Sequence, residues 1–297
     1  MEGLTGTILV GVESTYGTEA STKVAQYGIS STAGTRRSTA RSKSRLSGRA
    51  SRARQLPSYV DGEIVCGFTR LAAIMSPVLG ALGEGTASTG IITYAIGDSD
   101  PDNTSLTVGR NHGSVEYTSV GNVPSSFRLE LGNDDATYTL GFGGKSDVKE
   151  ASLTSFTAPD EANILYPSGY GTLSINGTDY DFESASIEVS LPIDYNGKGM
   201  IGASTVRNAF RSGAMEITGS ITLEFDDDTG ADMDTVTMLA DYLTDGDMGA
   251  IKWTSGAVDW LVLSVCKARG DWPALQSGVQ TFSLTFDAES CDIVTTT

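Results

Sequence analysis

Residues 60–68, VDGEIVCGF, can be laid over residues 217–225, ITGSITLEF, so that Gly62 falls on Gly219, Ile64 on Ile221 and Phe68 on Phe225. Both stretches place apolar side chains at alternate positions, the period of a strand with one buried face. A 297-residue chain that repeats such a strand in such detail must bury two like segments in two like settings. That narrows the candidate folds to those built from two similar units, each long enough to hold its own core.

The repeat extends on both sides of that pair. GTILVG, starting at Gly6, answers GTLSIN, starting at Gly171, and SLTSFTA (152–158) answers SLTFDA (283–288). SPVLGALGEG (76–85) lies over TMLADYLTDG (237–246), both apolar at helical spacing. Ser76 and Pro77 suit an N-cap and the first helical position, and Gly85 and Gly246 suit the position after a helix end. In the second helix Asp234 opens the segment, and Val236, Leu239, Ala240 and Leu243 share a face. The expected core of the repeat is thus Ile64, Phe68, Leu79 and Leu82 in one half and Ile221, Phe225, Leu239 and Leu243 in the other. Each half reads as strand, strand, long arm, strand, helix and further strands. With abundant Gly and Thr and few Pro, the chain is expected to be mainly β, in two tandem units over residues 1–160 and 161–297.

Charge is distributed unevenly over these units. The net charge is -17, yet residues 34–54, GTRRSTARSKSRLSGRASRAR, carry eight Arg and Lys and no acid. Residues 1–60 sum to +6, so residues 61–297 carry -23. The segment belongs to a first arm, 31–58, with bases Arg36, Arg37, Arg41, Lys43, Arg45, Arg49, Arg52 and Arg54. Its counterpart in the second half is an arm over 191–215 bearing Lys198, Arg207 and Arg211. Arg54 precedes Gly62 by eight residues, as Arg211 precedes Gly219. The basic segment is therefore a regular part of a repeated unit.

Three readings of that arm stand side by side. Ser, Arg and Gly build no core, so it can be a solvated loop. It can neutralise phosphates in a sequence-blind, salt-sensitive way, since it has no aromatic residue to stack on bases. It can also order against the acidic surface of another copy. Geometry favours the last. A hairpin over 31–58 reaches about 45 Å at roughly 3.3 Å per residue, whereas a unit of about 150 residues spans only about 40 Å.

Catalytic constellations are hard to assemble. His112 is the single histidine, in the turn-like GRNHGS, so a multi-histidine metal cage or a Ser/His/Asp set with a spare base finds no support. GFGGKSD (141–147) lacks the first glycine of a phosphate-binding loop, since Thr139 stands there. The acidic clusters 98–103 and 225–234 miss the spacing of a calcium-binding loop and read as solvated turns or, alternatively, calcium sites. Cys66, Cys266 and Cys291 are too few and too dispersed for a disulfide framework or zinc site, and read as thiols, the first two buried in strands. Trp253, Trp260 and Trp272 read as packing or interface residues. No cofactor is expected. No run of about 18 apolar residues occurs and the N-terminus has an acid where a signal peptide needs a base, so the expectation is a soluble chain with no membrane partner.

The order of these segments resembles the tail tube, or major tail, proteins of long-tailed bacteriophages. The resemblance rests on VGVESTYGTEA (10–20), SASIEVSLPIDY leading through the second arm to RSGAMEITGSITLEFDD, the helix MDTVTMLADYLTDG and the closing SGVQTFSLTFDAES. It implies β-sandwich or half-barrel units, each with a flanking short helix and a long arm loop. In that family, sheets join laterally into rings around an inner β-barrel, rings stack into a tube, and a long loop reaches the next ring. The usual member carries one unit and forms hexameric rings. Two units imply trimeric rings with pseudo-sixfold symmetry, or hexamers if one half is a decoration. Implied further are a non-enzymatic virion protein of the tail, assembled in the host cytoplasm, and passage of duplex DNA on ejection. Its partners are then other copies and the tape-measure, tail terminator and distal tail proteins. The rival class is a DNA-binding protein that uses the Arg-rich arm 34–54.

Overall fold

Alternating apolar and polar side chains turn most of the chain into strands, because each strand then offers one face to a core and one to solvent. A computed structural model describes residues 7–36, 39–41, 53–96, 104–152, 154–196, 205–225, 246–269 and 280–297. The first half contains β1 (Thr7–Val12), β2 (Val24–Ser31), β3 (Gly34–Arg36), β4 (Thr39–Arg41), β5 (Ala53–Gln55) and β6 (Tyr59–Gly67). After helix α1 (Ala72–Leu82) come β7 (Gly83–Ser88), β8 (Ile91–Ile96), β9 (Leu106–Asn111), β10 (Glu116–Leu131), β11 (Thr137–Gly144) and β12 (Ser146–Lys149). Two 3-10 turns, Glu161–Asn163 and Pro167–Gly169, connect to the second half. There β13 (Thr172–Ile175), β14 (Thr178–Tyr180), β15 (Phe182–Ser190), β16 (Ile193–Asn196) and β17 (Asn208–Arg211) precede β18 (Glu216–Phe225). The last strands are β19 (Asp247–Ser255), β20 (Val258–Arg269), β21 (Gln280–Ala288) and β22 (Ser290–Thr296).

Antiparallel pairing closes a circuit in the first half, β1 to β2, β6, β11, β10, β9 and back to β1. The second half closes the same circuit with β13, β14 running into β15, β18, β21, β20, β19 and back to β13. The registers agree in detail. Phe142 stands opposite Gly62, and Phe286 stands opposite Gly219. Ile8 pairs with Arg110, as Leu173 pairs with Trp253. Each leading strand has one bulge at the same place, between Gly28 and Ser30 in β2 and between Phe182 and Ser184 in β15. The strand turns are matched too: Lys145 N–H donates to Val120 O at 3.0 Å, and Glu289 N–H to Ser264 O at 3.1 Å.

Inward residues of both circuits belong to one contiguous core that includes Phe127, Tyr138, Phe142, Trp253, Trp260 and Phe286. Ile64, Phe68, Leu79, Leu82 and Ile221 are fully buried there. Phe225 lies at the end of β18, while the side chain itself, together with Leu239, Leu243 and Trp272, lies outside the described residues. Gly219 has no room for a side chain, since a Cβ there would come within 2.3 Å of the Phe286 ring. All three cysteines are free and buried, and burial pushes the thiols of Cys66 and Cys266 up to about 12.

The helix corrects one expectation. It begins a turn before Ser76, with Leu71 O accepting from Ile74 N–H and Met75 N–H at 3.0 Å each. Pro77 therefore sits inside the helix, where it deprives one carbonyl of a donor. Burial of Ile74, Met75, Val78, Leu79 and Leu82 offsets that loss, because the apolar stripe extends upstream of the proline. Ser76 Oγ accepts from Tyr94 O–H at 2.7 Å instead of capping. Gly85 likewise lies in β7 rather than after the helix end. The second helix lies outside the described residues, although Gly246 has the left-handed φ of +70° that a position after a helix end requires.

After α1, the β7–β8 hairpin of the first half reaches the second, where β8 pairs with β22 from Ile91 opposite Thr296 to Ile96 opposite Cys291. No helix of the described residues is long and apolar enough to cross a membrane.

Candidate functional site

The two circuits are joined edge to edge. One strand of the first, β10, pairs with β15 of the second, from Ser126 opposite Ser190 to Leu131 opposite Ala185. One sheet consequently runs through β3, β6, β11, β10, β15, β18, β21 and the end of β20. Its inner side is core: Ile64, Leu140, Phe127, Ile187, Ile221 and Leu284 are buried in successive strands. Its other side is hydroxyl-rich, with Thr139, Ser126, Ser186, Thr218, Ser220 and Thr285 in adjoining rows. Three ion pairs lie on it, and Glu63, Glu188 and Glu216 add exposed carboxylates to the same side. Arg128 bonds Glu130 at 2.7 Å, Arg36 lies 3.7 Å from Asp61, and Arg269 pairs with Asp287. Pairs this exposed contribute little stability. Arg128 also crosses the junction, its Nε donating to Ser186 Oγ at 3.1 Å.

The second arm is laid across the first unit. Its described base is the hairpin β16–β17, in which Asp194 faces Phe210. Val206 N–H donates to Ser58 O at 3.0 Å, and Tyr195 O–H to Val60 O at 3.1 Å. The Tyr195 ring lies 4.4 Å from that of Tyr59. Arg211 Nη2 donates to Ala81 O at 2.9 Å, one of the carbonyls left without a helical donor at the end of α1, where a cation is favoured. Ala209 N–H donates to Tyr16 Oη at 2.7 Å. Burial, with Glu13 nearby, pushes the Tyr16 hydroxyl up to about 12 against the lowering effect of that bond, so it remains neutral.

The loop that carries Tyr16 is held by a buried carboxylate. Glu13 Oε2 accepts from Gly17 N–H and Ser105 O–H, both at 2.7 Å. Its Oε1 accepts from Gly121 N–H at 2.8 Å and Thr107 O–H at 3.0 Å. Four donors satisfy a charge that would otherwise be costly to bury. They also fix the loop 13–20 against the bend of β10 at Gly121.

The first arm begins in the same way. Beyond β3, the hairpin β4–β5 pairs Ala40 with Arg54 and Arg41 with Ala53. Arg37, Lys43, Arg45, Arg49, Arg52 and Lys198 lie outside the described residues, as do the acidic clusters at 98–103 and beyond Phe225. Arg36 and Arg207 are exposed, Arg207 at the foot of the second arm, where its N–H donates to Asn196 O at 2.9 Å. The described bases do not gather into one patch: Arg211 turns inward onto α1, and Arg36 sits on the sheet edge. Sequence reasoning did not single out Glu13, Tyr16 or Tyr195, although Tyr16 lies within the stretch 10–20 and Tyr195 closes the motif SASIEVSLPIDY. His112 lies in the turn between β9 and β10, its N–H bonded to Val115 O at 2.8 Å. Gly141 to Asp147 are ladder residues of β11 and β12 joined by Lys145.

Against known proteins, no curated protein matches the chain. The family model described as Phage tail tube protein matches residues 3–263, which cover the first circuit, both arms and the second circuit as far as the middle of β20. With most of its length matched and a mainly β architecture of joined antiparallel sheets, the chain belongs to the phage tail tube protein family.

Proposed function

We propose that this protein polymerises as stacked rings into the tube of a phage tail, the conduit through which DNA is ejected. Family membership supplies the structural role in the virion. The observation that carries the finer reading is the sheet that runs without a break from β3 to β20, built of two strand circuits in matching register. On this reading residues 1–160 and 161–297 are two tube units, and three copies make a ring of pseudo-sixfold symmetry. Eight strand positions per chain then give a closed barrel of about 24 strands. At about 4.8 Å between strands and a tilt of about 40°, its backbone is about 48 Å across, wide enough to admit a duplex. Closure removes the free edges that otherwise aggregate. A hydroxyl-rich wall whose arginines are paired and which carries further carboxylates offers phosphates no basic patch to hold, so DNA slides past it.

The arms are the elements that link one ring to the next, and the Arg-rich first arm finds its partners on the acidic body of neighbouring copies. Tape-measure, terminator and distal tail proteins cap or fill the tube, and assembly takes place in the host cytoplasm. Electron microscopy of the purified protein tests this directly. Hollow tubes with threefold or pseudo-sixfold rings in axial view are expected; plain sixfold rings would remove the duplicated-unit reading, and a chain that stays monomeric at every concentration would remove the tube.

A further inference from the structure

A cleft in the first unit opens where two strands part. β1 and β2 pair from Val10 opposite Val24 to Ile8 opposite Gln26. Beyond Ile8, β1 stays with β9, Thr7 opposite Asn111, while β2 passes to β6, Tyr27 opposite Gly67. The wedge between them is a cleft of about 150 Å³, with Thr7, Ile8, Ile29, Ser30, Arg110 and His112 in its walls and no acidic side chain among its described lining. Ile29 is left over in the β2 bulge, between Gly28 opposite Cys66 and Ser30 opposite Val65, and is 63% exposed. At the same mouth the His112 ring and Arg110 Cζ lie 6.3 and 5.9 Å from the centre of the Tyr117 ring, itself partly exposed.

The second unit has the same wedge, and there the chain leading into its first strand covers it. Leu173 opposite Tyr180 stands where Ile8 stands opposite Gln26, so Phe182 and Ser184, which flank the bulge, answer Gly28 and Ser30, and Trp253 answers Arg110. Tyr170, two residues before β13, is buried, its ring 6.2 Å from that of Phe182 and its carbonyl accepting from Trp260 Nε1 at 2.9 Å. Phe182 meets Trp253 edge-on at 6.0 Å, and Trp253 is fully buried beneath it. The groove that remains lies outside this cover, bordered by Gly132 and Asp181. In the first unit Gly28 replaces the Phe182 ring and leaves its space open. The lead-in to β1 is residues 1–6, MEGLTG, which lie outside the described residues.

We infer that residues 1–6 fold back over the cleft of their own chain and seat Leu4 against Ile8 and Ile29. Thr7 lines the cleft and follows the segment directly, so the segment starts at the mouth, and at about 3.3 Å per residue its reach of about 20 Å is ample. Such a tether gives the segment a far higher effective concentration at this cleft than any free chain has. Leu4 supplies apolar volume where Gly28 left it out, and its burial together with that of Ile29 drives the contact. Glu2, the one charged side chain of the segment, meets a mouth that holds Arg110 and no carboxylate in its described lining. The contact lies within one subunit and is independent of assembly. It covers an apolar mouth that would otherwise stand open to other proteins.

Thiol protection tests this. Ser30→Cys places a reactive thiol in the cleft wall beside Ile29, whereas the three native thiols are buried. Its alkylation is timed on the unassembled subunit, in the full chain and in the same variant lacking residues 1–6. The full chain is expected to react at least tenfold more slowly, by a factor that does not change with protein concentration. Equal rates would overturn the inference, and so would protection that appears only as concentration rises, because the occupant would then be a second copy. Should the shortened chain not fold, Leu4→Asp in the full chain takes its place: faster alkylation is expected, and an unchanged rate would overturn the seating of Leu4. A second variant, Leu4→Cys with Ile29→Cys, is oxidised and run on a denaturing gel without reductant. A disulfide closed within one chain is expected; linked dimers or free thiols would overturn the contact.

Discussion

Gly121 and Val265 hold the same bend in two corresponding strands, with φ of +68° and +50°. Each follows the residue whose carbonyl receives the matched turn bond, Val120 in β10 and Ser264 in β20. A glycine takes this conformation freely, whereas a β-branched residue there is strained.

Replacing Val265 by glycine should therefore stabilise the protein by about 1 kcal/mol, the left-handed cost being removed from an exposed site. The reverse change, Gly121→Val, should destabilise by about 3 kcal/mol or more, because a Cβ there meets the Tyr16 ring at 2.9 Å and Lys145 Cβ at 3.0 Å. Urea titrations of the two variants read both signs, and a stabilising Gly121→Val would refute the account of the bend.

The Glu13 clamp and the second arm should loosen together. Glu13→Ala leaves four donors without an acceptor and is expected to cost about 4 kcal/mol. Tyr16→Phe removes only the acceptor of Ala209 N–H and should cost about 1 kcal/mol. Hydrogen exchange at residues 205–211 should rise in both variants, since both release the arm from the first unit.

Acid should weaken the protein through Glu116. Burial alone would raise its carboxyl, but bonds from Thr154 N–H and O–H and from Lys23 hold it below the usual glutamate range. Its contribution is complete above the unfolded value near 4.3 and is lost as pH falls through the lower folded value. Lys23 is shifted the other way: its burial is outweighed by Glu19 and Glu116, so its share is complete below its unfolded value and lost as pH rises through the raised folded one. Stability measured against pH should fall at both ends, and Glu116→Gln should flatten the acid limb at a cost of about 2 kcal/mol at neutral pH.

Charge reversal in the first arm should separate folding from assembly. Arg49, Arg52 and Arg54 changed together to Glu should leave thermal unfolding of the subunit unchanged and abolish tube growth, scored by microscopy. Normal tubes from that variant would remove the arm from the assembly contact. A mobility shift with duplex DNA at physiological salt distinguishes the rival role, since a dedicated binder retains affinity there and a tube subunit does not.

How far the sequence could be read depended on how local the signal was. The strands around Gly62 and Gly219 were legible because alternation and glycine positions survive in one dimension, and in the folded chain the two glycines stand opposite Phe142 and Phe286. The start of α1 was misplaced because Ser76 and Pro77 form a good local signal that the apolar stripe from Ile74 overrides once it is buried. Tyr16 and Tyr195 carried no marker as contact residues, since their partners Ala209 and Val60 are 193 and 135 positions away.

The strand frame follows from periodicity and turn residues, which are properties of neighbours along the chain. That β10 accepts β15, that β22 accepts β8 and that the second arm lies on the first unit were decided only in three dimensions. Edge pairing uses main-chain groups that every residue carries, so no residue type announces it. It is settled by which edges remain open after each circuit has closed.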